Sequence, residues 1–286
     1  MTGSQIVVGA PDEGSTAGAA YVFTGSGATW TQQAELTASN QASADYFGYS
    51  VAISGSTVAV GAFGQDASTG AAYVFDFAHG KWSQQADLVA GDAAPSADFG
   101  YSVAVSSKTL LVGAYGSNSG TGAAYVFARS GSVWSQQAEL TASDGTPGGD
   151  FGNSVALAGS TAVVGADLES SSAGTAYVFV QNGDVWSQQA ELVAGDAAPG
   201  DEFGASVALA GSSIVVGADG TSSSAGTAYV FNRTGTAWPQ EAELSASDGA
   251  AFDGFGTAVA ESGTTRLIGA PGHNSGTGAA YVFTVA

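Results

Sequence analysis

Residues 99–150 read FGYSVAVSSKTLLVGAYGSNSGTGAAYVFARSGSVWSQQAELTASDGTPGGD, and this pattern returns along the whole chain without insertion or deletion. The tyrosine of the YVF motif marks the period, because it recurs every 52 residues, at Tyr21, Tyr73, Tyr125, Tyr177, Tyr229 and Tyr281. A fixed period of this size, made of short β-forming runs, is typical of propeller blades. The sequence therefore predicts an all-β fold, a β-propeller of four-stranded antiparallel blades.

Each copy contains four β-forming runs, which we name strands A to D, separated by Gly, Ser or Asp clusters. In the second copy the strands are expected near residues 50–54, 57–62, 71–75 and 82–88. The first copy has no strand A and the last has no strand D, so we expect six blade positions with incomplete first and last blades. The alternative is part of a seven-bladed or larger array. The blades of this single domain, 1–286, are placed at about 1–46, 47–98, 99–150, 151–202, 203–254 and 255–286.

The charge balance limits the partners. The chain carries 25 acidic and five basic residues, a net charge of −20, which would repel nucleic acid and anionic membrane surfaces. Cysteine is absent, which excludes a disulfide framework and thiolate metal sites. No apolar run is long enough to insert into a membrane, and no secretory signal is present in this chain.

Three motifs carry a family resemblance: Phe99-Gly100, Val112-Gly113-Ala114 and the run GAAYVF from Gly122 to Phe127. They resemble the FG-GAP repeat of the integrin α-subunit propeller and its prokaryotic relatives, over the whole chain. The resemblance implies an extracellular or cell-surface recognition or adhesion module that binds ligands on the face carrying the D–A and B–C loops. Integrin-type repeats often hold Ca²⁺ in an Asp-rich A–B loop. Here those loops are Ser/Gly turns, so no calcium site of that type and no other cofactor is expected.

The acids are concentrated at one end of the blades. Because consecutive strands are antiparallel, the B–C and D–A loops lie at the end opposite the A–B and C–D turns. Ten acids fall in the D–A loops and six in the B–C loops, hence 16 of 25, whereas all five bases fall in or beside the other turns. We predict a ligand-binding acidic face with weak, multi-site Ca²⁺ binding, formed by Asp98, Asp150, Asp201, Glu202, Asp253, Asp12, Glu13, Asp66 and Asp167.

The sequence favours a non-enzymatic module that binds a protein or glycan ligand, because no catalytic motif recurs and the two histidines, His79 and His273, lack repeated partners. Two alternatives stay open. One is a lectin-like propeller with glycan contacts at the inter-blade tryptophans Trp30, Trp82, Trp134, Trp186 and Trp238. The other is a hydrolase or lyase on the same scaffold. The incomplete terminal blades also predict self-association through their uncovered edges.

Overall fold

The computed structural model describes residues 3–284, which form six antiparallel sheets in two compact units, Met1–Leu140 and Thr141–Ala286. We number the sheets blades 1 to 6 in chain order. The predicted all-β fold class, with propeller-type four-stranded blades and incomplete first and last blades, is confirmed. The placement of all six blades in a single domain stays a prediction.

The first unit contains blades 1 to 3. Blade 1 has three strands: β1 (Gln5–Ala10), β2 (Ala19–Ser26) and β3 (Thr29–Leu36). Blade 2 has four, in the order β4 (Ser50–Ser54), β5 (Thr57–Ala62), β6 (Ala71–Ala78) and β7 (Lys81–Leu88). Blade 3 repeats this order with β8 (Ser102–Ser106), β9 (Thr109–Ala114), β10 (Ala123–Ser130) and β11 (Val133–Leu140).

The second unit contains blades 4 to 6. Blade 4 consists of β12 (Val155–Ala158), β13 (Thr161–Ala166), β14 (Thr175–Asn182) and β15 (Val185–Leu192). Blade 5 consists of β16 (Phe203–Ala210), β17 (Ser213–Ala218), β18 (Thr227–Asn232) and β19 (Gln240–Leu244). Blade 6 has three strands: β20 (Ala258–Ser262), β21 (Thr265–Ala270) and β22 (Ala279–Thr284).

A single helical turn interrupts every B–C loop, which the strand pattern does not predict. The turns are α1 (Glu13–Thr16), α2 (Gln65–Ser68), α3 (Ser117–Gly120), α4 (Glu169–Ser172), α5 (Thr221–Ser224) and α6 (His273–Gly276). Each has two central residues in the left-handed region, for example Asn118 with φ 54° and Ser119 with φ 62°. Small or short polar residues at these positions keep the cost of that conformation low. No helix among residues 3–284 has the length and apolarity needed to span a bilayer.

Neighbouring blades within a unit pack face to face through apolar side chains. In the first unit, Ala20 and Val22 of blade 1 share a buried cluster with Val58, Val60 and Tyr73 of blade 2. In the second unit, the same positions of blade 4 pack on blade 5. The hydrophobic core of a unit therefore consists of layers of side chains, one layer between each pair of neighbouring blades.

Within each unit, the Phe-Gly motif joins a blade to the one before it. Phe99 is 1% exposed and forms a parallel bridge with Gly70 of blade 2. The Gly100 carbonyl accepts a hydrogen bond of 2.7 Å from Ser50 Oγ. A Cβ atom at Gly61 would lie 1.9 Å from that same carbonyl oxygen. Only glycine permits such a close approach of the two backbones.

Candidate functional site: the acidic loops

Backbone hydrogen bonds bring the B–C and D–A loops together. Asp98 N donates to Ser68 O at 2.8 Å and Phe99 N donates to Thr69 O at 3.2 Å in the first unit. In the second unit, Glu202 N donates to Ser172 O at 2.9 Å. The loops that contain the predicted acidic residues therefore form one continuous surface within each unit. We call this the acidic loop surface of the unit.

Two of the predicted site residues are held within their own loops. Asp201 Oδ2 accepts a 2.7 Å hydrogen bond from Ala198 N, and Asp253 Oδ2 accepts one of 2.9 Å from Ala250 N. Asp45, at the same repeat position, accepts 2.7 Å from Ala42 N. These carboxylates close the D–A loop by the side-chain-to-backbone bond typical of turn aspartates.

The next repeat position carries acids with a left-handed backbone. Asp98, Asp150 and Glu202 have φ values of 54°, 57° and 59°. Burial raises the pKa of Asp98, and hydrogen bonds from Tyr115 and Ser68 oppose that rise. Burial also raises the pKa of Glu202, and the neighbouring Asp219 raises it further. These acids are half-buried at the base of the surface.

Asp167 lies in a crowded acidic environment in the second unit. Its Oδ1 atom is buried without a hydrogen-bond partner. Burial, reinforced by the charges of Asp150, Glu202 and Asp219, raises the pKa of Asp167 to about 7. At neutral pH, Asp167 therefore carries less negative charge than an exposed aspartate does.

The remaining predicted acids, Asp12, Glu13 and Asp66, are exposed in the B–C loops. Glu13 accepts a 2.6 Å hydrogen bond from Tyr21 Oη, which raises the pKa of Tyr21 to about 12. No cluster of three or more His, Asp or Glu side chains within residues 3–284 is arranged to hold a metal ion. The Ser54-Gly55-Ser56 type of A–B turn also offers no carboxylate, so an integrin-type calcium site does not fit these residues. Weak Ca²⁺ binding at the acidic loops stays a prediction.

Sequence reasoning missed an aromatic patch on the acidic loop surface of the first unit. It consists of Tyr46, Tyr49, Phe63, Tyr101 and Tyr115. The Tyr46 and Phe63 rings stack with centroids 5.0 Å apart, and Tyr49 meets Tyr101 at 4.8 Å. Tyr49 is 43% exposed. The available signal was the aromatic identity of positions that hold no aromatic residue in the later repeats, for example at Asp150, Asn153 and Asp167.

Three of the five tryptophans proposed as glycan contacts are buried. Trp134, Trp186 and Trp238 are 6–8% exposed. Trp82 Nε1 donates to Gln33 of the preceding blade at 2.9 Å, and Trp238 Nε1 donates to Gln189 at 3.1 Å. Little ring surface of Trp134, Trp186 and Trp238 is left for a sugar to stack on. Trp30 and Trp82 are partly exposed, and a glycan contact there stays a prediction.

Three of the five bases are engaged at the opposite end of the blades. Arg129 of blade 3 forms a two-pronged ion pair with Asp76 of blade 2, with contacts of 3.1 and 2.5 Å. Arg233 Nε donates to Gly235 O at 3.0 Å. Arg266 Nε lies 3.2 Å from Glu261 Oε1, and both side chains are buried. None of these three arginine contacts neutralises a carboxylate of the D–A or B–C loops.

Comparison with known families identifies the family to which these repeats belong. The model of the FG-GAP repeat matches residues 30–75, 82–127, 134–179, 186–231 and 238–283. Each match runs from strand D of one blade to strand C of the next. A search of curated proteins returned no match. Because the five matches together cover well over half of the sequence, the chain belongs to the FG-GAP repeat family.

Proposed function

We propose that the chain is a non-enzymatic recognition module, acting at or outside the cell surface, that binds a basic protein through the acidic loop surfaces of its units. The observation that carries the proposal is the separation of charge. The D–A and B–C loops hold 16 acids, whereas three of the five bases are tied into contacts at the other end of the blades. A basic partner would be attracted over about one Debye length, roughly 8 Å at physiological salt.

The aromatic patch suits the same class of partner. A lysine or arginine side chain has an apolar stem and a cationic end. The stem can pack on the exposed ring of Tyr49 while the charge lies over an aromatic face and near Asp98. The proposed contact thus combines carboxylates with a cation–π component.

The test compares two variants of equal net charge. The first neutralises two acids of the B–C loops and two of the D–A loops: Asp12→Asn, Asp66→Asn, Asp150→Asn and Glu202→Gln. The control neutralises four exposed acids at one position of strand D: Glu35→Gln, Glu139→Gln, Glu191→Gln and Glu243→Gln. Asp201 and Asp253 are left unchanged because they support their loops.

Isothermal titration with poly-L-lysine in a series of NaCl concentrations measures the outcome. We expect the loop variant to bind about tenfold more weakly, a change of ~1.4 kcal/mol, with a shallower salt dependence. The strand D control should stay close to the parent protein. Equal losses in both variants would show that net charge alone governs binding and would overturn the proposal.

A further inference from the structure

A cavity of about 460 Å³ opens between the D–A loop before blade 6 and the B–C loop of that blade. Its lining includes the ring of Phe252, the carboxylate of Asp248, the imidazole of His273, and the polar side chains of Asn274 and Ser275. The volume lies within the range of small-molecule sites in proteins, about 300–1,000 Å³. The lining differs from the acidic loops described above because it combines an aromatic ring with both donors and acceptors.

Phenylalanine is energetically unfavourable at position 252. Its φ is 69°, and the side chain is 77% exposed. The same repeat position is left-handed in the other copies, where it is filled by Ala44, Ser96, Gly148 and Gly200. A bulky residue is unfavourable in this conformation, and the exposed ring gains little from packing. Folding alone therefore does not account for a phenylalanine here.

The polar groups beside Phe252 are held in fixed positions. Asp253 Oδ2 lies 2.9 Å from His273 Nδ1, and this contact orients the imidazole. Nε2 of the same ring lies 3.7 Å from Asp248 Oδ2, which is beyond hydrogen-bond distance. Tyr281 Oη donates to Asp248 Oδ1 at 2.9 Å, and the Asp248 side chain is 62% exposed. Nε2 and Oδ2 thus present two neighbouring polar atoms with capacity for a further partner.

A hydroxyl group suits this pair because it can donate and accept. It donates to Asp248, and it accepts from the Nε2 proton of a protonated His273 or donates to the same atom when the ring is neutral. Several hydroxyls near an aromatic face are characteristic of a sugar ring, whose C–H groups pack on the ring. A simple cation would leave the hydroxyl, amide and imidazole groups without use.

We propose that this cavity binds one pyranose ring of a carbohydrate, packed on Phe252 with its hydroxyls held by Asp248 and His273. The site occurs in one blade, so the stoichiometry is one sugar per chain. The site lies within the acidic loops of the second unit, but its ligand is a neutral hydroxyl compound and not a basic protein.

Saturation-transfer difference NMR with methyl glycosides of glucose, galactose, mannose and N-acetylglucosamine tests the proposal. We expect saturable binding of at least one glycoside by the parent protein and a loss of at least about tenfold in Phe252→Gly, a factor that lies beyond ordinary variation between surface variants. The same variant should have an unchanged or higher Tm, because glycine relieves the left-handed strain. Asp248→Asn should also weaken binding.

Val185→Ser is the matched control, since it removes a 67% exposed apolar side chain from the same unit, outside both proposed sites, and should leave glycoside binding unchanged. Absence of binding by all four glycosides overturns the proposal. So does retention of binding in Phe252→Gly. Displacement of the glycoside by poly-L-lysine, but not by a second glycoside, would assign the cavity to the basic partner instead.

Discussion

Replacing Gly61 by alanine tests how closely neighbouring blades approach. Gly61 lies in β5, and an added Cβ would stand 1.9 Å from the carbonyl oxygen of Gly100 in the next blade and 2.3 Å from Ser50 Oγ. An unstrained contact needs about 3.5 Å, so the two backbones would have to separate by roughly 1.5 Å. That movement would break the 2.7 Å hydrogen bond from Ser50 to Gly100.

The cost follows from those two effects. Overpacking of a tight junction costs about 1–3 kcal/mol. Loss of a part-buried hydrogen bond adds about 1 kcal/mol. We therefore expect Gly61→Ala to destabilise the first unit by about 3 kcal/mol, which corresponds to a fall in Tm on the order of 10 °C.

Gly269 provides a control at the same repeat position. A Cβ atom there would have Ala258 Cβ as its nearest neighbour, at 3.5 Å, which is an ordinary contact. Gly269→Ala should therefore be neutral or stabilising by up to about 1 kcal/mol, because alanine restricts the unfolded chain. Thermal and urea unfolding followed by circular dichroism measure both variants. Equal Tm values for the two variants would refute the argument from close approach.

Three further predictions concern charge and exposed apolar surface. Arg266→Ile leaves the buried carboxylate of Glu261 unpaired and should lower the free energy of unfolding by about 3–5 kcal/mol. The double variant with Glu261→Leu should recover this stability. Equal loss of stability in both variants, measured by urea unfolding, would contradict the prediction. The raised pKa of Asp167 means that the native state binds a proton more readily than the unfolded state, so stability should fall as pH rises from about 4 to 7. Asp167→Asn should make Tm depend less steeply on pH over this range. An unchanged pH dependence of Tm would exclude Asp167 as its source. Val282 and Leu267 are 65% and 45% exposed on blade 6, and we expect them to support self-association. Sedimentation velocity should show a dimer or a larger species, and Val282→Asp should reduce its fraction. A monomer at all protein concentrations would contradict this prediction.

The regular part of the fold was predictable because a period of 52 residues repeats the same strand and turn signals. Strands predicted at 50–54, 57–62 and 82–88 correspond to Ser50–Ser54, Thr57–Ala62 and Lys81–Leu88. The alternation along strand D was less predictable. The register shifts between Val126 and Phe127 where they pair with that strand, so one extra residue interrupts the pattern.

The roles of individual acids were harder to predict, because they depend on three-dimensional neighbours that composition does not show. Asp201 and Asp253 occupy a predicted site but close their own loops. Asp76 carried no functional prediction, yet it binds Arg129 across two blades. The sequence shows where carboxylates are concentrated; burial and hydrogen bonding decide which of them stay available to a partner.

The Phe-Gly junction also bears on how such a chain can change its length. The contact between a strand B glycine and the following Phe-Gly carbonyl recurs at Gly9, Gly61, Gly165 and Gly217, with hypothetical Cβ distances of 1.8–2.1 Å. Each junction uses mainly backbone atoms and small residues, so it depends little on the identity of the loops. Duplication or deletion of one whole repeat in the gene would therefore join surfaces that already fit each other. Loop sequences such as the one around Phe252 are free to diverge in a single copy while the interlocking framework is inherited unchanged.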